Sequence, residues 1–143
     1  MRIWHIVLDT NVLVAALRSR RGASFLLLSL IGKQPELAIH LSVPLVLEYE
    51  DAGKRDLEAS TISSAEVDAV IDYLCSVAKL HEVFFLWRPF LRDPKDDHIL
   101  ELAVRTRCDA IVTYNRRDFT GVERFGIEVL TPAELLQKIG LIP

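Results

Sequence analysis

Two cysteines in 143 residues, Cys75 and Cys108, are too few and too far apart for a disulfide framework, and without a C-x-x-C pair they suggest no thiolate zinc site. Both read as core residues. Long apolar runs are also missing. The most hydrophobic window, F-L-L-L-S-L-I-G at 25–32, is far shorter than a membrane span. The opening M-R-I-W-H-I-V-L-D has no apolar core of signal-peptide length, so a cytoplasmic protein with no membrane association is expected. Positive charge is not in excess either. Lys and Arg number 17 against 20 Asp and Glu, a net charge of -3, which argues against binding nucleic acid through overall basicity and leaves only local basic clusters. No G-x-G-x-x-G follows any apolar segment, which removes a dinucleotide fold. Repeats, low-complexity tracts and linkers are absent as well, with the polar S-R-R-G at 19–22 the best candidate for a flexible piece. What is present is an ordinary globular balance, 50% hydrophobic and 26% charged, of a length that suits one domain over 1–143.

Two segments rich in Ile, Val and Leu, I-W-H-I-V-L at 3–8 and A-I-V-T at 110–113, end abruptly at polar residues and read as strands buried on both faces. Weaker strand patterns lie at 36–41, 81–86 and 126–130. Helical patterns occupy 12–19, 23–32, 43–54, 64–78, 97–107 and 132–139. Asn11 and Ser42 can cap the starts of their helices, Thr131-Pro132 opens the last, and Gly140 closes it. Strands alternating with helices predict an α/β fold with a mainly parallel sheet. In such sheets ligands sit beyond the carboxyl ends of the strands.

Acidic residues fall where that rule looks for a site. Asp9 follows the first strand inside I-V-L-D-T-N-V-L-V, where an ionised carboxylate needs a partner, a hydrogen bond or a metal. A plain alternative is that Asp9 or Asn11 simply caps a helix. In S-V-P-L-V-L-E-Y-E-D, Glu48 borders the apolar face of its helix, Glu50 flanks the other border, and Asp51 points more nearly to solvent. In R-D-P-K-D-D-H-I-L-E-L-A, Asp96 lines up with Ile99, Leu100 and Ala103 on the core-facing stripe. Asp97 is turned away from that stripe and Asp93 belongs to a turn. For Asp96, too, a helix cap or a favourable charge near the helix dipole is the plain reading. After the A-I-V-T strand come Thr113, Asn115 and Asp118 in T-Y-N-R-R-D-F. Four polar clusters on one sheet edge are a less ordinary coincidence than any one of them.

Two carboxylates about 5 Å apart repel by roughly 3 kcal/mol at an effective dielectric near 20, so a cluster raises its pKa values or recruits cations. Oxygen-only donors favour Mg2+ or Mn2+. An ion held in this way can polarise a phosphodiester and activate water. Arg116 and Arg117 stand in the loop beside Asn115 and could hold flanking phosphates, whereas Arg18, Arg20 and Arg21 read as solvated surface.

Over nearly its whole length the chain resembles the PIN-domain nucleases, through L-D-T-N-V-L at 8–13, S-V-P-L-V-L-E at 42–48, D-P-K-D-D-H-I-L-E-L-A at 93–103 and A-I-V-T-Y-N-R-R-D-F at 110–119. The resemblance implies an α/β/α sandwich around a parallel sheet of about five strands. It also implies an acidic Mg2+ or Mn2+ site that cleaves RNA to 5'-phosphate and 3'-hydroxyl ends. Many similar proteins are toxins of toxin-antitoxin pairs, often homodimers silenced by a small antitoxin, which makes such partners expected here. Carried over by position, Asp9, Glu48 and Asp96 match the family acids, with Asp97 the alternative third. Asn115 stands where a fourth acid often occurs, and Asp118 follows three residues later as in some members. Thr10, Asn11 and Thr113 match polar residues that orient the carboxylates.

Other folds with a strand-terminal Asp fit less well. A haloacid-dehalogenase-like phosphatase needs a second Asp where Asn11 stands, and a receiver domain needs an acidic pair where Asp9 stands alone. The remaining alternative is a catalytically weak RNA- or protein-binding module on the PIN architecture.

Overall fold

The computed structural model describes residues 2–55, 57, 62–82, 91 and 93–143. Its centre is an all-parallel sheet in the order β3-β2-β1-β4-β5. The strands are β1 (Trp4–Leu8), β2 (Leu37–Ser42), β3 (Lys79–His81), β4 (Ala110–Val112) and β5 (Glu128–Leu130). Around them lie α1 (Thr10–Arg18), α2 (Ala23–Leu30), α3 (Val43–Gly53), α4 (Ser64–Val77), α5 (Asp97–Arg105) and α6 (Pro132–Ile139). This is the expected α/β class with five strands.

Topology follows from the handedness of parallel crossovers. The chain runs β1 to β2 to β3 in one direction, then returns through α5 to β4 on the far side of β1. Right-handed connections therefore put α1 to α4 on one face and α5 on the other. Helix α6 packs against α2 and joins the first layer. The strand order reverses between β1 and β4, and the crevice beyond their carboxyl ends is where such a sheet offers a binding site.

The middle strands are apolar because both faces are covered. Ile6, Val7 and Leu8 of β1 and Ala110, Ile111 and Val112 of β4 are completely buried. Helix starts follow the capping chemistry read from the sequence. Ser42 accepts the amide of Leu45, with Pro44 in the first turn of α3. Ser63 with Glu66 and Thr131 with Glu134 form reciprocal capping boxes on α4 and α6. Gly140 ends α6 at φ 86°, a left-handed value that glycine adopts without strain.

Three expectations need correction. Helix α1 is capped by Asp9, which accepts the Thr10 amide, and Asn11 is already inside the helix. The edge strand is Lys79–His81, pairing His40 with Lys79 and Ser42 with His81, so it begins two residues before the 81–86 pattern, of which 83–86 lies outside the described residues. Cys108 is buried, but Cys75 is only half-buried, and both are free thiols.

One arrangement gave no sequence signal. His5, His40 and His81, from three adjacent strands, stand side by side on one face of the sheet. Nδ1 of His5 lies 2.9 Å from Nε2 of His40, and Nδ1 of His40 lies 2.9 Å from Nε2 of His81. Burial, together with the charges of His81, His5 and Lys79, pushes His40 down to about 4.

Candidate acidic metal centre

The site is built at the β1/β4 edge by backbone pairing. The Asp9 amide donates to the Val112 carbonyl at 2.9 Å, which brings Asp9 beside Thr113, while the Thr113 amide donates to the Leu130 carbonyl of β5 at 2.9 Å. Thr113 Oγ1 donates to Asp9 Oδ2 at 2.7 Å while accepting from Asn11 Nδ2 and from the Asn115 amide. A hydroxyl has one proton and two lone pairs, so Thr113 is fully used. Asn11 also donates to Asp9 Oδ2 at 3.2 Å and accepts the Tyr114 amide through Oδ1. An aspartate at position 11 has no proton to give Asp9 when ionised, which is the structural reason for an amide there.

Glu48 enters from α3. Thr10 Oγ1 donates to its Oε2 at 2.5 Å, and its Oε1 lies 3.2 Å from Nε2 of His98 on α5. Thr10 thus bridges two acids, its amide on Asp9 and its hydroxyl on Glu48. The competing acids of α3 face elsewhere: Glu50 pairs with Lys54 and Asp51 with Arg55, both in exposed positions. Tyr49, fully buried, donates to the Leu8 carbonyl at 2.5 Å and ties α3 to the end of β1.

Asp96 stands at the junction of a short 3-10 turn, Pro94–Asp96, and α5, and its carboxylate makes no capping bond. Its electrostatic partners are instead Asp9, Asp118, Asp93 and Glu48. Burial and then repulsion from those four raise it from 3.8 to about 7. Asp97 is directed away, accepting the Leu91 amide at 2.9 Å. Asp118 is brought back by a second 3-10 turn, Arg116–Phe119, and adds its charge to those acting on Asp9 and Asp96. Asn115, at the mouth of that turn, is exposed.

Burial raises Asp9, against the hydrogen bonds from Thr113 and Thr10 that favour its charged form, and the charges of Glu48 and Asp118 raise it further. For Glu48 burial also acts upward, but the hydrogen bonds from His98 and Thr10, together with the charges of His98 and Arg55, outweigh it and hold the carboxyl below its ordinary value. Asp9, Glu48, Asp96 and Asp118 therefore form a mutually repelling, oxygen-only cluster whose chemistry suits a hard divalent cation. Among the described residues, however, no three His, Cys, Asp or Glu side chains are already arranged around one ion position. The fit is one of donor type and charge, and a bound ion would have to draw the carboxylates together.

The two arginines beside the acids part company. Arg116 is ion-paired with Glu134 at the start of α6, whereas Arg117 is exposed with no ion-pair partner among the described residues. Both line a shallow concavity of about 550 Å³ with Tyr114, Asn115 and Asp118. A separate hollow of about 430 Å³ between α1, α2 and α4 is lined largely by apolar residues such as Phe25, Leu28 and Val70, and lies away from this chemistry. His98 and Tyr49 are the residues at the site that sequence reasoning missed. Tyr49 could have been found from its place four residues after Leu45 on the buried face. His98 carries no such signal.

Comparison with known proteins agrees with this architecture. No curated protein matches the chain. The crystal structure of VapBC2 from Rickettsia felis bound to a DNA fragment from their promoter is similar in fold, with a TM-score of 0.58 at 16% identity, covering 87% of this chain and 98% of that one. The family model described as PIN domain matches residues 5–117, a span that runs from β1 into the 3-10 turn next to the acids and ends one residue before Asp118. By that match the chain belongs to the PIN domain family.

Proposed function

We propose that this PIN domain is a Mg2+- or Mn2+-dependent endoribonuclease and the toxin of a toxin-antitoxin pair, restrained by a small antitoxin and working as a homodimer in the cytoplasm. PIN domains are generally nucleases and typically use divalent metals. The observation that carries the reading is the meeting of Asp9, Glu48, Asp96 and Asp118 at the strand-order reversal, where their charges repel one another. The antitoxin is supported by the fold shared with a VapBC protein.

In this reading Asp9, Glu48, Asp96 and Asp118 hold the ion, with Asn115 able to add a neutral oxygen and Asp97 left to its Leu91 contact. When bound, the ion supplies polarisation of the scissile phosphate and activation of water. The chain's own groups do the rest. Thr10, Asn11 and Thr113 fix the Asp9 and Glu48 oxygens. Asp96 carries a proton up to about pH 7 in the cation-free protein and is the group that must release it. Arg117 holds a neighbouring phosphate of the RNA, and Arg116 shapes the same concavity from its pair with Glu134.

A second reading, a binding module with weak catalysis, is favoured by one observation, that the acids are not already arranged around one ion. One experiment separates the two. Mn2+ titration calorimetry and cleavage of a panel of single-stranded and structured RNAs are run on wild type and Asp9→Asn, with and without chelator. The nuclease reading expects Mn2+ binding and cleavage that Asp9→Asn and chelator both abolish. Equal cleavage by the two proteins would mean a contaminating nuclease, and absent Mn2+ binding would leave the binding module.

A further inference from the structure

Helix α5 brings a second polar group to the acids two residues after Asp96. The side chain of His98 is 10% exposed; its Nε2 meets Glu48 Oε1 at 3.2 Å, and its Nδ1 is buried with no hydrogen-bond partner among the described residues. A carboxylate oxygen can only accept, so the shared proton resides on Nε2. Glu48 is therefore gripped at both oxygens from two different elements, Oε2 by Thr10 at the start of α1 and Oε1 by His98 on α5. One clamp alone would leave the carboxylate free to swing about it, whereas two set its plane.

The unpartnered Nδ1 indicates what the histidine is for. A buried polar atom without a partner is destabilising, and an aliphatic side chain would occupy this partly buried position without that cost. Among the described residues, what histidine contributes here is the single bond from Nε2 to Glu48. We propose that His98 is a positioning residue that fixes the Glu48 carboxylate for a divalent cation, an inference that rests on the metal-site reading above.

The test uses the full chain as wild type, Asp9→Asn, His98→Leu, His98→Gln and His98→Asn. Mn2+ affinity is measured by calorimetry and melting temperature in chelator. Glutamine offers an amide near the Nε2 position, whereas asparagine offers the same chemistry nearer the Nδ1 position. His98→Leu is expected to weaken Mn2+ binding 10- to 100-fold, the usual effect of losing such a partner, without lowering the melting temperature. Glutamine is expected to restore most of the affinity and asparagine little of it. Should the leucine variant fail to fold, the glutamine and asparagine pair decides alone. Wild-type affinity in His98→Leu, or equal affinity in the glutamine and asparagine variants, overturns the proposal. If wild type itself fails to bind Mn2+, or Asp9→Asn binds equally well, the metal-site reading fails and this inference with it.

Discussion

Replacing Asp96 with asparagine is expected to make the cation-free protein more heat-stable at pH 8 and to leave it unchanged near pH 4. Asp96 is raised from 3.8 to about 7, chiefly by burial and then by Asp9, Asp118, Asp93 and Glu48. Between those two values the folded chain keeps a proton that the unfolded chain has released. Stability therefore falls as pH rises through that window, and the whole deficit remains above pH 7. Unscreened, the displacement corresponds to roughly 4 kcal/mol. Asp96 is partly exposed, and solvent screening reduces the figure to about 1–2 kcal/mol. For a chain of this size that is roughly 3–6 °C in melting temperature. Thermal melts of wild type and Asp96→Asn in chelator, from pH 4 to pH 8.5, should coincide at the acid end and separate as pH 7 is approached. Saturating Mn2+ should then reverse the order, since an ion at 100 times its Kd stabilises the binding-competent protein by about 2.7 kcal/mol. A difference that is constant with pH, or a wild type that is the more stable at pH 8 in chelator, would refute the reasoning.

Asn11→Asp removes both side-chain donors from Asp9 and Thr113 and adds a like charge beside Asp9. It should cost about 1–3 kcal/mol in urea unfolding at pH 8 without metal. His40→Leu should flatten the acid side of the stability profile. The wild-type imidazole is depressed from 6.5 to about 4, so its contribution is complete above pH 6.5 and is lost as pH falls to about 4, by up to about 3 kcal/mol. Arg117→Ala should weaken binding of RNA to the catalytically silent Asp9→Asn protein more than Arg116→Ala does, since Arg116 is already paired with Glu134. Fluorescence anisotropy at two salt concentrations reads this directly, and equal losses would argue against the distinction.

Those expectations rest on residues that differ in how well the sequence announced them. Asp9 was legible because a buried strand ends there, and Asp96 because it heads an apolar stripe. Both signals are local. Glu48 could not be separated from Glu50 by periodicity; the separation comes from Thr10 and His98, which lie far from α3 in sequence. The choice between Asn115 and Asp118 depends on the 3-10 turn at Arg116–Phe119, whose tighter winding follows no α-helical repeat. Asp9 caps α1 through Oδ1 while Oδ2 joins the Thr113 network, so the capping reading does not exhaust its contacts. The pairing of Arg116 with Glu134 is likewise long-range, so adjacency to Asn115 could not foretell it.

The three imidazoles that cross the sheet impose a rule of their own. With all rings neutral, each of the two contacts needs one proton, and His40 uses one nitrogen toward each neighbour. Both bonds are kept only if every ring carries its proton on Nδ1 or every ring carries it on Nε2. The row of rings is thus a three-member register with two allowed settings, and changing the tautomer of His5 on β1 obliges His81 at the sheet edge to change with it. Nitrogen chemical shifts should accordingly report one shared tautomer for all three histidines.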